Sequence, residues 1–190
     1  MGAVMVIPST VLCLLGLIAC SATAQSQTVP AGYRQVAQEA GVPSKLLYAV
    51  ALAESGQSAF GGGAFRPWPW TLNINGKGRY YPSRQAAWQA LQPALAGPER
   101  SVDIGLMQIS WRYHQSVLGS AWEALDPYHN LRVAAALLRD CLAVHDHWLP
   151  SAGCYHAPNN AHRAERYSQR VQAHWLRLTD EPQGVVDGAP

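Results

Sequence analysis

The chain has 190 residues, only 14% of them charged, and a formal net charge of +2. This length favours one domain with its own hydrophobic core. The weak positive balance, without a basic run or stripe, argues against a nucleic-acid-binding protein and only mildly favours anionic partners. Seven Trp and eight Tyr against two Phe suit a groove with one apolar and one wet side, although many of these rings will simply fill the core.

The N-terminal residues 1–25 have the form of a signal peptide. Residues 11–19 are an apolar run that is too short to span a membrane and is followed by small residues. Cleavage after the small residues 22–24 would release a soluble protein, whereas residues 17–20 resemble a bacterial lipobox that would leave Cys20 lipidated. The absence of Lys and Arg before the apolar run weakens both interpretations. We expect export to the periplasm, with an outer-membrane lipoprotein as the alternative.

The four cysteines are interpreted together with this export. Processing would remove Cys13 and, on soluble release, Cys20, which leaves Cys141 and Cys154. In an oxidising compartment two remaining cysteines favour a disulfide, and the short loop it closes would contribute about 3 kcal/mol in the chain-entropy model. A reactive-cysteine enzyme is the alternative, but no typical order of Cys, His and Asn supports it.

After a polar link of residues 26–30, the first predicted helix runs over residues 33–40. Its less polar side chains recur on one face, and Gly41 ends it. This face can pack against the next helix as a compact α-hairpin. We expect this first helix to build core and to take no part in chemistry.

The second predicted helix, residues 43–55, is very apolar and carries Glu54 near its end. Pro43 opens it at the first turn, where a missing N–H costs nothing, and Gly56 stops it. Burying an unpaired carboxylate is costly, so a carboxyl group withdrawn from water favours its protonated form, which suits a general acid. The alternative is that Glu54 lies at a solvated rim or caps a neighbouring backbone.

Loop and strand signals follow this helix. Residues 58–69 are rich in Gly and Pro and predict a loop. Residues 70–74 alternate, Asn75-Gly76 is a turn signal, and residues 79–81 can return as a second strand, which together predict a small β-hairpin. Ser83 is the predicted N-cap of a helix that Pro93 breaks.

The remaining segments are a turn and two longer helices. In residues 101–110, Gly105 permits a close backbone approach, and Gln108 offers donors and an acceptor. Asn130 is the predicted cap of a helix over residues 131–146. A last helix is predicted over residues 161–178, and residues 179–190 are expected to form a flexible tail.

Three separated motifs carry a family resemblance. Glu54-Ser55 ends a helix, Gly105-Leu106-Met107-Gln108-Ile109 follows, and Tyr155-His156-Ala157-Pro158 precedes the helix that holds Tyr167. In this order they resemble the soluble lytic transglycosylases, a branch of the lysozyme-like superfamily that cleaves peptidoglycan. The resemblance extends over about residues 33–175, and residues 67–83 resemble the transglycosylases associated with conjugation and pilus machinery. It implies a mainly α, lysozyme-like single domain over residues 26–178 with a small β-hairpin.

The resemblance also implies roles for individual residues. Glu54 matches the catalytic acid/base of the family, and Ser55 the residue that helps to orient that carboxylate or the sugar. The matches to residues that line or approach the glycan groove are Gly105, Met107, Gln108, Tyr155 and Tyr167. Two positions depart from the family pattern: His156 replaces the usual Asn and Pro158 the usual Gly, which affects the expected sugar contacts. The segment between Glu54 and Gly105 is longer than in many relatives and is expected to form an added lobe over the groove.

A lytic transglycosylase can work with one carboxyl group, although glycosidases ordinarily use two. In the family mechanism the acid, here Glu54, protonates the glycosidic oxygen between muramic acid and glucosamine. The ionised form then takes the proton of the muramyl 6-hydroxyl as a 1,6-anhydro ring closes. An intramolecular nucleophile removes the entropic cost of recruiting water. The resemblance implies no cofactor. The expected partners are glycan strands and, because of the resemblance of residues 67–83, a conjugation or pilus assembly.

Four alternatives stay open at this stage. A hydrolytic muramidase would use Asp103 as second carboxylate, although an exposed loop aspartate is the commoner case. A catalytically weak glycan-binding subunit of a secretion apparatus is compatible with the departures at His156 and Pro158. His145 and His147 lie two apart, but no His-Glu-x-x-His array supports a zinc site. Trp68 and Trp70 can stack on sugar rings or pack the hairpin.

Overall fold

The structure, a computed structural model, describes Gly2 and residues 27–59, 63–97 and 101–180. The predicted signal peptide with Cys13 and Cys20, and residues 181–190 of the predicted tail, lie outside the described residues. In the described part, helices dominate and strands are short. The mainly α fold class is therefore confirmed.

Eight helices occur in the described part of the chain, numbered in chain order. They are α1 Ala31–Ala40, α2 Ser44–Ser55, α3 Arg84–Ala96, α4 Trp111–Leu118, α5 Ala121–Ala124, α6 Pro127–His145, α7 Trp148–His156 and α8 Ala161–Trp175. The strands in the same residues are β1 Gln27–Thr28, β2 Gly56–Gln57, β3 Arg66–Pro67, β4 Thr71–Ile74, β5 Lys77–Tyr80, β6 Val102–Ile104, β7 Ile109–Ser110 and β8 Leu178–Thr179.

Helix α2 lies at the centre of the molecule. The seven consecutive residues 46–52 are all buried, so the helix is covered on every side rather than on one face, as expected for a helix that is apolar all round. Helices α1 and α8 pack against it. Pro43 lies at the N-cap position, one residue before the predicted place in the first turn. This central position fixes where the C-terminal end of α2, and Glu54 with it, can lie.

The predicted hairpin is part of a larger sheet. β4 and β5 pair antiparallel around Asn75 and Gly76, whose positive φ angles of 53° and 78° are those a two-residue hairpin turn requires. β6 and β7 extend the sheet to the order β5-β4-β6-β7. The longer segment after Glu54 therefore folds as β2–β5 and α3. Its strand β4 pairs with β6, the strand that leads to Gly105.

Two predicted boundaries were wrong, and one helix was not predicted. Pro93 does not break α3 but lies inside it, on the exposed side, where water can solvate the carbonyl that proline leaves unbonded. Thr179 does not begin the tail, because it pairs in parallel with Thr28. Residues 148–156 form the helix α7, for which no element was predicted.

Candidate active site

Glu54 lies at the C-terminal end of α2 with its side chain 11% exposed. The buried residues before it hold the helix end in the core, so the carboxyl group is shielded on its protein side. Glu54 is therefore not a fully solvated rim residue. Among the hydrogen bonds of the described residues, none joins its carboxyl group to a neighbouring backbone. A largely shielded carboxyl group that reaches solvent is the arrangement that a general acid needs.

The 105–108 loop, which joins β6 to β7, is the second part of the site. The Ser55 hydroxyl donates to the Leu106 carbonyl at 2.7 Å, and the Tyr155 hydroxyl donates to the Met107 carbonyl at 2.7 Å. These two bonds tie the loop to the end of α2 and to α7. Ser55 and Tyr155, predicted as substrate-binding residues, therefore use their hydroxyl groups to hold backbone.

Asn130 is the third support of this loop, and its predicted role as a helix cap was wrong. The cap of α6 is Asp126, whose carboxylate accepts from the Tyr128 and His129 amides. Asn130 lies fully buried within α6. Its Oδ1 accepts from the Met107 amide at 2.9 Å, and its Nδ2 donates to the Ile104 carbonyl at 3.0 Å and the Ala124 carbonyl at 3.1 Å.

Gly105 is required at this point for two reasons. Its φ of +83° lies in the region that residues with a Cβ rarely adopt. A Cβ there would also lie 2.6 Å from Nδ2 of Asn130, which is inside van der Waals contact. The glycine thus permits the close approach between the loop and α6 that the sequence suggested, but the approaching group is an asparagine of the protein.

The predicted groove residues differ in how far they can contact a ligand. The Ser55 and Met107 side chains are 0% exposed, and Gly105 is buried. These residues shape the loop from beneath its surface, and their contact with sugar stays a prediction. Gln108 is partly exposed. Its Nε2 donates to the Gly105 carbonyl at 2.9 Å and to the Thr71 carbonyl at 3.2 Å, which leaves Oε1 as a possible acceptor for a ligand.

His156, flagged in the sequence only as a departure, lies directly beside Glu54. Its Nδ1 is 3.5 Å from Oε1 of Glu54. Its ring stacks on Tyr167, with centroids 4.2 Å apart and planes inclined by 6°. The imidazole is thus held between the carboxyl group and an aromatic ring, where it can donate to an ionised Glu54. The sequence signal was present in the motif, but its pairing with Glu54 was not foreseen.

The two tyrosines near Glu54 have different surroundings. The pKa values of Tyr155 and Tyr167 are both raised well above the ordinary value. Burial is the larger cause, and the negative charge of Glu54 is the second. For Tyr167 a side-chain interaction with Glu54 raises the pKa further. Yet the buried Tyr167 hydroxyl makes no hydrogen bond of ordinary length and angle in the described residues. The Tyr167 hydroxyl is therefore a neutral hydrogen-bond donor next to Glu54, with no partner at ordinary hydrogen-bond geometry among the described residues.

Asp103 is not an exposed loop aspartate, although that is the commoner case for this residue type. It lies in β6, is partly buried, and accepts from Nδ2 of Asn73 at 3.2 Å. Burial, followed by the charge of Glu54, raises the pKa of Asp103 to about 6, while His156 and the hydrogen bonds of Asn73 and Ser110 lower it. A second carboxyl group thus shares the electrostatic environment of Glu54, and Asn73 was not foreseen from the sequence.

The Trp68–Trp70 pair packs within the hairpin region. The two rings make an edge-to-face contact with centroids 5.3 Å apart, and Nε1 of Trp68 donates to the Tyr81 carbonyl at 2.6 Å. Both side chains remain partly exposed. Packing is thus their visible role, and sugar stacking stays a prediction.

The structure links Cys141 of α6 to Cys154 of α7, with the two Cα atoms 5.9 Å apart. Cys154 directly precedes Tyr155 and His156, so the bond fixes the end of α7 that supplies site residues. Within the described ranges, no three His, Cys, Asp or Glu side chains are grouped as a metal site would require. Nor does any helix in those ranges have the length and apolar character of a membrane span.

Comparison with known proteins agrees with this geometry. A family model described as "Transglycosylase SLT domain" matches residues 33–177. These residues include Glu54, the 105–108 loop, His156 and Tyr167. The chain matches neither a curated protein nor a solved structure.

Proposed function

The chain belongs to the transglycosylase SLT domain family, in the lysozyme-like superfamily, and we propose that it cleaves the β-1,4 bond between muramic acid and glucosamine in peptidoglycan without water. The products on this proposal are glycan ends that carry 1,6-anhydro-muramic acid. The observation that carries the proposal is the shielded carboxyl group of Glu54, 11% exposed, beside His156 and Tyr167.

In the proposed reaction, Glu54 acts twice. The protonated carboxyl group gives its proton to the glycosidic oxygen as the C1–O bond breaks and an oxocarbenium-like state develops. The resulting carboxylate then accepts the proton of the muramyl 6-hydroxyl. At the same time the oxygen of this hydroxyl group bonds to C1 and closes the 1,6-anhydro ring. No net proton is consumed, and Glu54 returns to its starting state.

The neighbours of Glu54 support the second half of this cycle. Once the carboxyl group has lost its proton, a donor near Oε1 can stabilise the negative charge. His156 Nδ1 is 3.5 Å from that atom, and the buried Tyr167 hydroxyl interacts with the same carboxyl group, which contributes to the raised pKa of Tyr167. Preorganised donors directed at developing charge are a usual source of rate enhancement.

A hydrolytic muramidase is the second candidate, and Asp103 is the observation that favours it. Two carboxyl groups whose charges interact are the usual equipment of a glycosidase, and the charge of Glu54 helps to raise the pKa of Asp103 to about 6. In that reaction Asp103 would activate a water molecule. The two candidates differ by one water in the mass of the product.

We further propose that the protein acts outside the cytoplasm. The signal-like residues 1–25 and the Cys141–Cys154 bond both support an oxidising, exported setting. Release as a periplasmic protein is preferred to attachment through Cys20. We propose that the protein opens the wall locally for a conjugation or pilus assembly. The resemblance of residues 67–83 to transglycosylases associated with such machinery supports this proposal.

Digestion of purified sacculi tests the proposed function. We expect the mature protein to release muropeptides that end in 1,6-anhydro-muramic acid, identified by mass spectrometry. Glu54→Gln keeps the size of the side chain but removes the acid and is expected to abolish release. Release by a correctly folded Glu54→Gln variant, or binding of glycan without cleavage by the wild type across the pH range, would contradict the proposal.

A further inference from the structure

A small cationic pocket lies immediately beside Glu54. It has a volume of about 170 Å³ and is lined by His156, Arg163, Arg166, Tyr167 and Arg170. Two of these five, His156 and Tyr167, also contact or interact with Glu54. One imidazole ring therefore separates the proposed acid from this pocket.

The three arginines lie on one face of α8. Positions 163, 166, 167 and 170 follow the i, i+3, i+4, i+7 spacing that places side chains on the same side of a helix. Glu165, the acidic residue of this segment, falls on the opposite face at 100° per residue. The positive charge of α8 is thus concentrated toward the pocket and is not balanced along the helix.

Among the described residues, no carboxylate forms an ion pair with these arginines. The ion pairs in the described part of the chain join Arg84 to Asp126, Arg132 to Glu39 and His156 to Glu54. None involves Arg163, Arg166 or Arg170. The guanidinium group of Arg170 lies 4.9 Å above the ring of Tyr167, an arrangement that orients the cation without a carboxylate partner in the described part of the chain.

We propose that this pocket binds carboxylate groups of the stem peptide carried by muramic acid, so that the protein selects peptide-bearing muramic acid at the cleaved bond. Guanidinium groups suit this ligand because their paired N–H donors match the two oxygens of a carboxylate. This inference rests on the proposed function, since peptidoglycan supplies both the glycan and the peptide.

The attachment point of the stem peptide supports this assignment. The stem peptide is attached to the muramyl ring whose C1 must lie at Glu54 during cleavage. Two extended residues of peptide reach about 7 Å from their attachment, and the pocket shares His156 and Tyr167 with the surroundings of Glu54. The first carboxylates of the peptide can therefore reach across His156 to the arginines while the sugar stays at Glu54.

Binding of soluble muropeptides tests this site without catalysis. The probe is a disaccharide-peptide that is too short to be cut, compared with the same molecule after amidation of its carboxyl groups, with the stem-free disaccharide, and with inorganic phosphate. Isothermal titration of the full mature chain is expected to show affinity at least roughly tenfold lower for the amidated and stem-free molecules. The difference should shrink as salt is raised.

The variants locate the effect in the pocket. In the double variant Arg166→Ala/Arg170→Ala, the preference for the carboxylate form is expected to disappear. Arg166→Lys keeps the charge but not the paired donors and is expected to retain only part of the preference. The matched control is Arg139→Ala. This variant removes another exposed arginine, which donates to the Ala40 carbonyl. Ala40 lies near the N-terminal end of α2, whereas Glu54 lies near its C-terminal end, so the variant should bind muropeptides as the wild type does.

Two results would overturn the inference. One is equal affinity for the carboxylate and amidated muropeptides, and the other is phosphate binding that matches the muropeptide, which would indicate an adventitious anion site only. Thermal melting shows that each variant is folded. Carboxylate-dependent binding without any glycan cleavage would instead refute the proposed function, whereas cleavage without carboxylate dependence would refute this inference alone.

Discussion

At the scale of single residues, the clearest contrast is between two buried tyrosine hydroxyls. The Tyr155 hydroxyl donates to the Met107 carbonyl, whereas the Tyr167 hydroxyl has no ordinary partner among the described residues. A buried polar group without a hydrogen-bond partner lowers the stability of the folded state. Removing one partner of a buried hydrogen bond lowers the stability in the same way, because the other partner is left unsatisfied. The unsatisfied group in this pair is the one that faces Glu54.

Phenylalanine substitutions separate the two roles. We expect Tyr155→Phe to lower the free energy of unfolding by about 1–2 kcal/mol, because the buried Met107 carbonyl loses its donor. Tyr167→Phe should leave stability unchanged or slightly raised, yet lower kcat at least about tenfold by removing a donor from Glu54. Urea unfolding and muropeptide release measure the two effects. A large loss of stability in Tyr167→Phe would contradict this assignment.

Asp103 gives a pH-dependent prediction. Its pKa is raised from 3.8 to about 6 in the folded protein, so the folded state binds this proton more tightly than the unfolded state. The stability that Asp103 contributes is present below about pH 4 and is lost as the pH rises through about 6. We expect Asp103→Asn to become more stable than wild type across this interval, by about 1 kcal/mol after allowance for its partial exposure.

Urea unfolding at several pH values measures the Asp103 effect. Asp140→Asn is the matched control, because Asp140 lies exposed on α6, and its difference from wild type should not change over the same interval. A stability difference for Asp103→Asn that is constant with pH would contradict the raised pKa. Complete loss of glycan cleavage in Asp103→Asn would favour the hydrolytic reaction.

At the scale of elements, the site depends on how α6, α7 and α2 hold the 105–108 loop. Each helix supplies one side chain that bonds loop backbone: Asn130, Tyr155 and Ser55. The loop is therefore fixed from three sides while Gln108 keeps partial exposure. This explains why several motif residues are buried although they belong to the site.

Asn130 tests that view of the loop. Asn130→Ala would leave the Met107 amide and the Ile104 and Ala124 carbonyls without their bonds. We expect a loss of about 3 kcal/mol or more in the free energy of unfolding, with a matching loss of activity. Asp126→Ala removes the true cap of α6 and should cost only about 1 kcal/mol. Equal costs for the two variants would contradict the role of Asn130.

The sequence predicted these elements unevenly, for physical reasons. The apolar run of α2 and the Asn75-Gly76 turn follow from local chemistry, and both were found. Asn130 resembled a cap locally, but its hydrogen bonds go to segments distant in sequence. Helix α7 was missed because Pro150 and Gly153 argue against a helix. Pro150 lies in its first turn, where proline is tolerated, and a Cβ on Gly153 would lie 2.7 Å from the Ala164 carbonyl of α8.

At the scale of the whole molecule, the site joins segments that are far apart in the sequence. Glu54, the 105–108 loop, His156 and Tyr167 meet because α2 is central, α8 packs against α2, and α7 packs against α6 and α8. The motifs and their order were recognisable in the sequence. The pairing of His156 with Glu54, the partial burial of Asp103 and the cationic face of α8 were not, because each depends on tertiary contacts.

The Cys141–Cys154 bond constrains this assembly. Its closed loop spans a sequence separation of 13, for which the chain-entropy model gives about 3 kcal/mol. We expect Cys141→Ser/Cys154→Ser to lower the free energy of unfolding by about that amount and to reduce activity, because α7 carries Tyr155 and His156. Urea unfolding with and without reductant measures it. Wild-type stability that is unchanged by full reduction would contradict the prediction.

The central claim is that Glu54 is the only carboxyl group that transfers protons in the reaction and that the substrate supplies its own nucleophile. Digestion of sacculi in water enriched in the heavy oxygen isotope tests this most directly. The account predicts anhydro-ended products with no heavy oxygen at the muramyl C1. One heavy oxygen at C1 for each bond cut would mean that water is the nucleophile and would contradict it.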